Sequence, residues 1–138
     1  MEVAGWLIDK SALVRLADSP HAAKWAERIN DGFVHLSTIT RLEVGYSARS
    51  GADLSKAMSS PPISKMPIEG LTPAVEELAW QMLQLLAKKG QHRAPSLADL
   101  MIAATAQLCG FTVLHLDKDF ELISKATGVQ VEKLKISQ

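Results

Sequence analysis

The sequence has one cysteine among 138 residues, Cys109, and no apolar run long enough to span a membrane. A single cysteine cannot form an internal disulfide bond, so we expect Cys109 to be a core residue in a reducing compartment. The first ten residues (MEVAGWLIDK) lack the basic start and long apolar stretch of a signal peptide. These absences predict a soluble, cytoplasmic protein that does not bind a membrane.

Neither sign of charge is in excess, because 15 Lys and Arg balance 15 Asp and Glu. Net charge therefore indicates no class of partner, although a local basic patch and a local acidic site can coexist on one protein. The apolar fraction of 47% is typical of a folded globular chain. The length predicts one domain with a sizeable core, spanning residues 1–138.

Short apolar runs alternate along the chain with segments of helical spacing. Strands are predicted at residues 4–9, 33–37 and 111–117, and a last strand at VQVEKL. The proline-containing stretch ISKMPI fits an edge strand. The alternation predicts an α/β fold, a three-layer α/β/α sandwich with a mostly parallel central sheet of four or five strands.

Capping signals place the helices that matter most to the argument. One helix is predicted to begin at Thr38 or Thr40 and to end at Gly51. Another, SLADLMIAATAQLC, is capped by Ser96 and ends at Gly110; it is apolar on every side.

Two acids follow apolar strands directly. Asp9 follows WLI, and Asp117 follows VLHL. In a parallel sheet the carboxyl ends of the strands share one edge, and binding sites lie where the strand order reverses. We therefore expect these two carboxylates to lie close together.

Two further acids lie on predicted helices. Asp99 is the one acid of the apolar helix and falls in its first turn, at about the third position. Glu43 has Ile39 and Tyr46 as neighbours at helical spacing, which predicts that it shares their inward face. A lone carboxylate in apolar surroundings costs several kcal/mol or becomes protonated.

Each acid taken alone has an ordinary structural explanation. Asp9 and Asp117 could cap helices, Asp99 could offset a helix dipole by roughly 0.3–1 kcal/mol, and Glu43 could be solvated. Together, four carboxylates at one edge would repel each other unless a cation neutralised them. Oxygen ligands without His or Cys favour Mg²⁺ or Mn²⁺, ions that usually act on phosphates.

Four motifs occur in an order and spacing that resemble the PIN-domain ribonucleases and, within them, the VapC toxins of bacterial toxin–antitoxin pairs. The motifs are LIDKSAL (7–13), TRLEVGYSAR (40–49), HRAPSLADLMIAATA (92–106) and LHLDKDF (114–120). The resemblance covers essentially the whole chain and implies the PIN fold.

The resemblance also implies a metal-dependent endoribonuclease that inhibits translation by cutting RNA, in tRNA or rRNA loops, to 5′-phosphate and 3′-hydroxyl ends. The family's metal-binding and catalytic acids match Asp9, Glu43, Asp99 and Asp117, with Asp119 in the D-x-D arrangement as a further ligand or a helix cap. These acids would hold one or two Mg²⁺ or Mn²⁺ ions. Ser11 matches the family's supporting hydroxyl, and Lys10 stands where many relatives have threonine.

The partners implied are RNA, a second copy in a homodimer, and a small VapB-type antitoxin whose C-terminal tail covers the acidic groove with a basic side chain. The RNA contacts favoured are Lys10, Arg41, Arg93 and Lys118, with Arg49, Lys88, Lys89 and His92 as further candidates. Ordinary solvated charge explains about half of these as well. His115 is interpreted as a strand-packing residue.

Two other functions fit acids at parallel strand ends. A Mg²⁺-dependent phosphohydrolase of the haloacid-dehalogenase type would carry D-x-D-x-T after the first strand, whereas this chain has DKSAL without a second Asp. A non-catalytic PIN-fold module could use the acids to bind basic peptides, but the presence of all four acids favours catalysis.

Overall fold

A computed structural model describes residues 4–137 and contains a single five-stranded sheet. The strands are β1 (Trp6–Ile8), β2 (Val34–Ser37), β3 (Ile68–Glu69), β4 (Thr112–His115) and β5 (Val131–Lys133). Their order in the sheet is β3-β2-β1-β4-β5, and every neighbouring pair is parallel. The predicted α/β class is confirmed, with five strands that are all parallel.

Helices connect the strands and cover the sheet. They are α1 (Lys10–Leu13), α2 (Ala22–Asn30), α3 (Thr38–Ser47), α4 (Gly51–Ser59), α5 (Pro73–Lys88), α6 (Leu97–Cys109) and α7 (Lys118–Thr127). Two short 3₁₀ turns lie at Leu16–Asp18 and Ile63–Lys65.

Alternating strand residues supply two separate cores, one on each face of the sheet. Leu7 and Val113 pack against α5, α6 and α7 on one face. Trp6, Ile8 and Leu114 pack with α1 and α2 on the other. Because successive side chains of a strand point to opposite faces, a sheet covered by helices on both sides needs apolar residues at consecutive positions. This is why the strands are continuous apolar runs.

The chain changes direction across the sheet between β1 and β4. It passes outward from β1 through β2 to β3, then returns so that β4 lies on the other side of β1. Ile8 is paired with Leu114, and the Asp9 amide donates to the Leu114 carbonyl oxygen at 2.9 Å. The carboxyl ends of β1 and β4 therefore form the crevice where ligands bind in sheets of this kind.

Helix α6 is apolar on every side because it is enclosed on most sides. It contacts α3, α5 and α7 as well as β1 and β4. Ile102 and Ala103 in its middle have no exposed surface. Gly110 ends the helix with φ of 75°, a left-handed conformation that costs glycine little, and the chain enters β4 two residues later.

Three local expectations were wrong. Ser37, the last residue of β2, caps α3 in place of Thr38 or Thr40, because its Oγ accepts from the Thr40 amide at 3.0 Å. Helix α3 ends at Ser47, and Gly51 begins the separate helix α4. The edge strand is the two-residue β3, since a 3₁₀ turn occupies the start of ISKMPI.

Two side chains expected inside the protein are exposed. Cys109 lies in the last turn of α6, outside the core, with Sγ 3.5 Å from Glu69 Oε1. Tyr46 lies in the last turn of α3 with 92% of its surface exposed. Among the described helices, none is both long enough and apolar enough for a membrane span.

Ile102→Ala is expected to lower the free energy of unfolding by about 2–5 kcal/mol, because a fully buried aliphatic side chain leaves a cavity when truncated. Leu108→Ala, in the same helix but half-exposed, should change it by less than about 1 kcal/mol. Urea unfolding of both variants measures the difference. Equal losses would contradict the burial of the middle of α6 against the sheet and the neighbouring helices.

Candidate functional site

The four acids identified in the sequence line one cleft at the carboxyl edge of the sheet. Asp9 follows β1 and Asp117 follows β4, so the adjacency of these strands brings the two acids together. Asp99 enters from the first turn of α6, and Glu43 from the middle of α3. Asp119 lines the same cleft. Residues separated by more than a hundred positions thus share one pocket.

Three of the acids approach each other most closely. One carboxylate oxygen from each of Asp99, Asp117 and Asp119 lies within 4.8 Å of the other two. Asp9 and Glu43 lie outside that closest set but line the same cleft, and the negative charge of Asp9 contributes to the raised pKa of both Asp99 and Glu43. The five carboxylates therefore form one acidic cluster, which we call the acidic cleft.

Three aspartates of the cleft also cap helices, each through a single oxygen. Asp9 Oδ2 accepts from the Ser11 amide at 3.1 Å at the start of α1. Asp117 Oδ1 accepts from the Asp119 amide at 2.9 Å at the start of α7. Asp99 Oδ2 accepts from the Ser96 amide at 3.3 Å, completing a capping box with that serine. Capping and ligand binding are therefore not alternatives, since each aspartate retains a second oxygen.

Ser11 ties the ends of β1 and β4 together. Its hydroxyl donates to Asp9 Oδ2 at 2.6 Å and accepts from the Leu116 amide at 2.9 Å. The first bond fixes the Asp9 carboxylate, and the second fixes the turn that carries Asp117. A hydroxyl at this position therefore sets the spacing between two acids of the cleft.

His115 contacts the backbone of the same turn. The ring is 1% exposed, and Nδ1 accepts from the Asp117 amide at 3.2 Å. Burial lowers the pKa of His115 against the opposing influence of Glu121, which favours the neutral ring, whose Nδ1 can accept. Nε2 lies 3.2 Å from Glu121 Oε1 without the angle of a hydrogen bond. The sequence predicted only that His115 packs within a strand, because nothing in it shows which backbone amide the ring faces.

The electrostatics of the cleft show unneutralised negative charge. Burial raises the pKa of Asp99 to about 6, helped by repulsion from Asp117 and Asp9 and opposed by the Ser96 hydrogen bonds. Burial also raises the pKa of Glu43, with repulsion from Asp9 added and the nearby Lys10 opposing. Glu43 Oε1 is buried and has no hydrogen-bond partner among residues 4–137.

These features fit a hard divalent cation. A buried carboxylate oxygen without a partner is costly, and such oxygens in native proteins need an explanation such as a bound ion. The donors offered to an ion are carboxylate oxygens, which suit Mg²⁺ or Mn²⁺ better than zinc. Asp9, Asp99 and Asp117 each retain one oxygen for such an ion, and Glu43 and Asp119 complete the set.

The predicted RNA contacts are distributed unevenly around the cleft. Lys10 and Arg93 line it. Arg41 lies in an adjoining groove, and Lys118 in a depression on the other side of Asp117. The cleft is also lined by three residues that sequence reasoning missed, Val14, Ala94 and Pro95.

The other basic candidates do not reach the acids. The side chains of Arg49, Lys88, Lys89 and His92 are absent from the described lining of the cleft. Lys88 and Lys89 are exposed at the carboxyl end of α5, where positive charge interacts favourably with the helix dipole.

Comparison with known proteins gives concordant matches. A family model described as the PIN domain matches residues 6–126. The chain is 54% identical over 129 residues to Ribonuclease VapC2 of Mycobacterium tuberculosis (strain CDC 1551 / Oshkosh), covering 94% of this chain and 92% of that protein. It is 35% identical over 128 residues to Ribonuclease VapC21 of Mycobacterium tuberculosis (strain ATCC 25618 / H37Rv), covering 92% and 91%.

A solved structure matches in fold. A chain of the DNA-bound VapBC complex from Salmonella typhimurium superposes with a TM-score of 0.75 at 20% identity, covering 95% of this chain and 98% of that one. At 20% identity the match shows a shared fold, namely the sheet and its flanking helices.

Asp99→Asn is expected to stabilise the protein when no divalent metal is present. Because the folded pKa of about 6 exceeds the ordinary value of 3.8, folding favours the protonated acid. That contribution to stability is complete below about pH 4 and is lost as the pH rises through about 6. At neutral pH the variant should gain about 1–3 kcal/mol in urea unfolding, and the gain should vanish near pH 4.

Asp53→Asn is the matched control. Asp53 occupies the same position of α4, with its amide bonded to a capping serine, but is exposed and lies outside the cleft. It should show no gain at any pH. A gain of equal size in both variants, or none in Asp99→Asn, would contradict the electrostatic description of the cleft.

Proposed function

This chain belongs to the PIN-domain family and to its VapC ribonucleases, and from that membership we propose that it is a divalent-metal-dependent endoribonuclease, the cytoplasmic toxin of a VapBC-type pair. The observation that carries the metal dependence is the acidic cleft, which five carboxylates line and in which Glu43 Oε1 is buried without a hydrogen-bond partner among residues 4–137. Added positive charge stabilises such an arrangement, because it offsets the repulsion among the carboxylates.

The residues take distinct roles in this proposal. Asp9, Asp99 and Asp117 would hold the ion or ions through the oxygens that do not bond to helix-start amides, and Asp119 would assist Asp117. A divalent cation bound there supplies activation of the attacking water and neutralisation of charge on the phosphate oxygens. Glu43 would orient that water, because its side chain lines the cleft and Oε1 makes no hydrogen bond among the described residues.

Two further residues keep the acids of the cleft in position. Ser11 keeps Asp9 at a fixed distance from the turn after β4, and His115 fixes the amide of Asp117. Ligands held by such hydrogen bonds lose little freedom when an ion binds, so the site is already in position before the substrate arrives.

The reaction is hydrolysis of a phosphodiester bond. Water adds to phosphorus, the bond from phosphorus to the 3′ oxygen breaks, and a proton passes to the leaving oxygen. The products are a 5′-phosphate and a 3′-hydroxyl, and the 2′-hydroxyl takes no part.

The substrate we propose is a single-stranded loop of transfer or ribosomal RNA, whose bases and phosphates are accessible. Lys10 and Arg93 contact phosphates next to the cut, and Arg41 and Lys118 contact phosphates farther along the strand on either side. Cleavage of such loops would stop translation.

We further propose that this chain forms a homodimer and that its partner is a VapB-type antitoxin. Solved chains that match in fold include those of the DNA-bound VapBC complexes of Salmonella typhimurium and Rickettsia felis. A basic side chain from the antitoxin tail would satisfy the acidic cleft as a cation does, and so would block it.

Asp9→Asn, Asp99→Asn and Asp117→Asn should each lower the cleavage rate of total bacterial RNA by about 100-fold or more, because each removes a charge that holds the ion. The assay maps new 5′-phosphate ends in Mg²⁺ or Mn²⁺, with chelator as the blank. Asp53→Asn should cleave at the parent rate. A folded Asp9→Asn protein that still cleaves would leave a non-catalytic binding role or a contaminating nuclease as the explanation.

Co-expression with the protein encoded by a short neighbouring reading frame should yield a stable complex that does not cleave RNA. Loss of inhibition on substituting the basic residues of that protein's C-terminal tail would support the blocking role of the tail. Inhibition that survives removal of the whole tail would contradict it.

A further inference from the structure

A second pocket lies beside the acidic cleft, on the other side of Asp117. Ser11 and Asp117 line both spaces, so the two adjoin each other at the carboxyl ends of β1 and β4. The other residues of this pocket come from β4 and the turn after it, from α7 and from β5, and are His115, Leu116, Lys118, Glu121 and Lys133. We call it the α7 pocket.

The ring of His115 brings an unused hydrogen-bond donor to the α7 pocket. Nδ1 accepts from the Asp117 amide at 3.2 Å, so the proton of the neutral ring is on Nε2. The ring is 1% exposed, and Nε2 has no hydrogen-bond partner among residues 4–137. A buried donor left without an acceptor is costly, which indicates that a bound molecule supplies the acceptor.

Glu121 offers an acceptor next to this donor without satisfying it. Its Oε1 lies 3.2 Å from His115 Nε2, but the two groups are not aligned for a hydrogen bond. The side chain of Glu121 is 51% exposed, so packing does not hold it against the ring. A group that enters between them must accept from Nε2 and donate to the carboxylate, and a hydroxyl does both.

The chemistry of the pocket disfavours two other ligands. A metal ion on Nε2 would require the ring proton on Nδ1, where it would face the amide proton of Asp117. A phosphate placed between His115 and Glu121 would be repelled by the carboxylate. The charges of the lining cancel, because it holds two lysines and two acids, Lys118, Lys133, Asp117 and Glu121. A neutral hydroxyl suits this balance, and the two exposed lysines suit the phosphates on either side of it.

The lining also differs from that of a protein interface. Charged residues are depleted at the centre of such interfaces, whereas four of the seven lining residues are charged and Leu116 is the one large apolar side chain in the described lining. A basic antitoxin tail gains no net attraction here, unlike in the acidic cleft. The pocket is therefore better suited to a polar part of the substrate than to a second copy or an antitoxin.

RNA carries a hydroxyl of the required kind on every nucleotide. The 2′-hydroxyl takes no part in the proposed reaction, so the chemistry alone would cut DNA as well as RNA. A preference for RNA must then come from binding, and the 2′-hydroxyl, which both donates and accepts, is the group that distinguishes the two nucleic acids.

We propose that the α7 pocket binds the 2′-hydroxyl of a ribose beside the cut, which accepts from His115 Nε2 and donates to Glu121, and that the pocket thereby selects RNA over DNA. This inference rests on the ribonuclease function proposed above. Glu121 contacts the substrate away from the reacting atoms, so its loss should raise KM and leave kcat nearly unchanged.

The test uses a synthetic RNA stem–loop that contains a cut site mapped from 5′-phosphate ends, and copies with a single 2′-deoxy substitution at each nucleotide flanking the cut. With the parent protein in Mg²⁺, one of these substitutions should lower kcat/KM about 10-fold or more, the loss expected when a buried group is left without its hydrogen bond.

Variants of Glu121 assign that penalty to the α7 pocket. In Glu121→Ala the all-RNA stem–loop should lose a similar factor, and the same deoxy substitution should then cost less than about threefold, because the two changes remove one shared interaction. Glu121→Gln keeps an acceptor oxygen and should retain most of the penalty. Glu77→Ala, which removes an exposed acid of α5 outside the pocket, should behave as the parent.

Mn²⁺ titration and RNA-binding measurements separate the outcomes. A KM effect that removes the deoxy penalty in Glu121→Ala, with unchanged Mn²⁺ binding, supports the subsite. A parent that cleaves every deoxy copy at the all-RNA rate overturns the subsite, leaves the pocket to water and leaves the ribonuclease function intact. A full penalty in Glu121→Ala, or a loss explained by weaker Mn²⁺ binding, also overturns it. Tighter RNA binding by both Glu121 variants overturns it in favour of a phosphate subsite. A parent that cleaves no RNA overturns both proposals.

Discussion

Repulsion among carboxylates held in one cleft is the constraint on which the rest of this structure depends. Five acids meet where water is partly excluded, and the raised pKa values of Asp99 and Glu43 show that the protein alone does not neutralise them. Backbone amides at three helix starts and the Ser11 hydroxyl offset part of the cost. The remainder is a cost that a divalent cation bound in the cleft would offset.

The topology explains why the acids meet at all. Because β4 returns beside β1, the turns after these strands lie next to each other, and Ser11 joins them with two hydrogen bonds. Helix α6 starts at the same edge, and its enclosure by other elements fixes its first turn there. A carboxylate on an otherwise apolar helix is thus explained: the helix is apolar because it is buried, and Asp99 is acidic because its first turn faces the cleft.

Much of this arrangement could be predicted from the sequence, because strand ends and helix starts have local signals. Asp9 and Asp117 follow apolar runs, and Ser96 precedes Asp99 by the spacing of a capping box. What could not be predicted depends on how elements pack. Tyr46 and Cys109 lie in the last turns of their helices. Helical spacing does not reveal that these turns extend beyond the elements that cover the rest of each helix. Ser37 ends β2 as predicted, and the sequence does not show that the same residue also caps α3.

Anomalous diffraction from crystals grown with Mn²⁺ tests the central claim most directly, because it locates the ion independently of activity. The account predicts at least one peak in the acidic cleft, within about 2.2 Å of carboxylate oxygens from Asp99 and Asp117. Crystals saturated with Mn²⁺ that show ordered carboxylates in the cleft and no anomalous peak between them would contradict it.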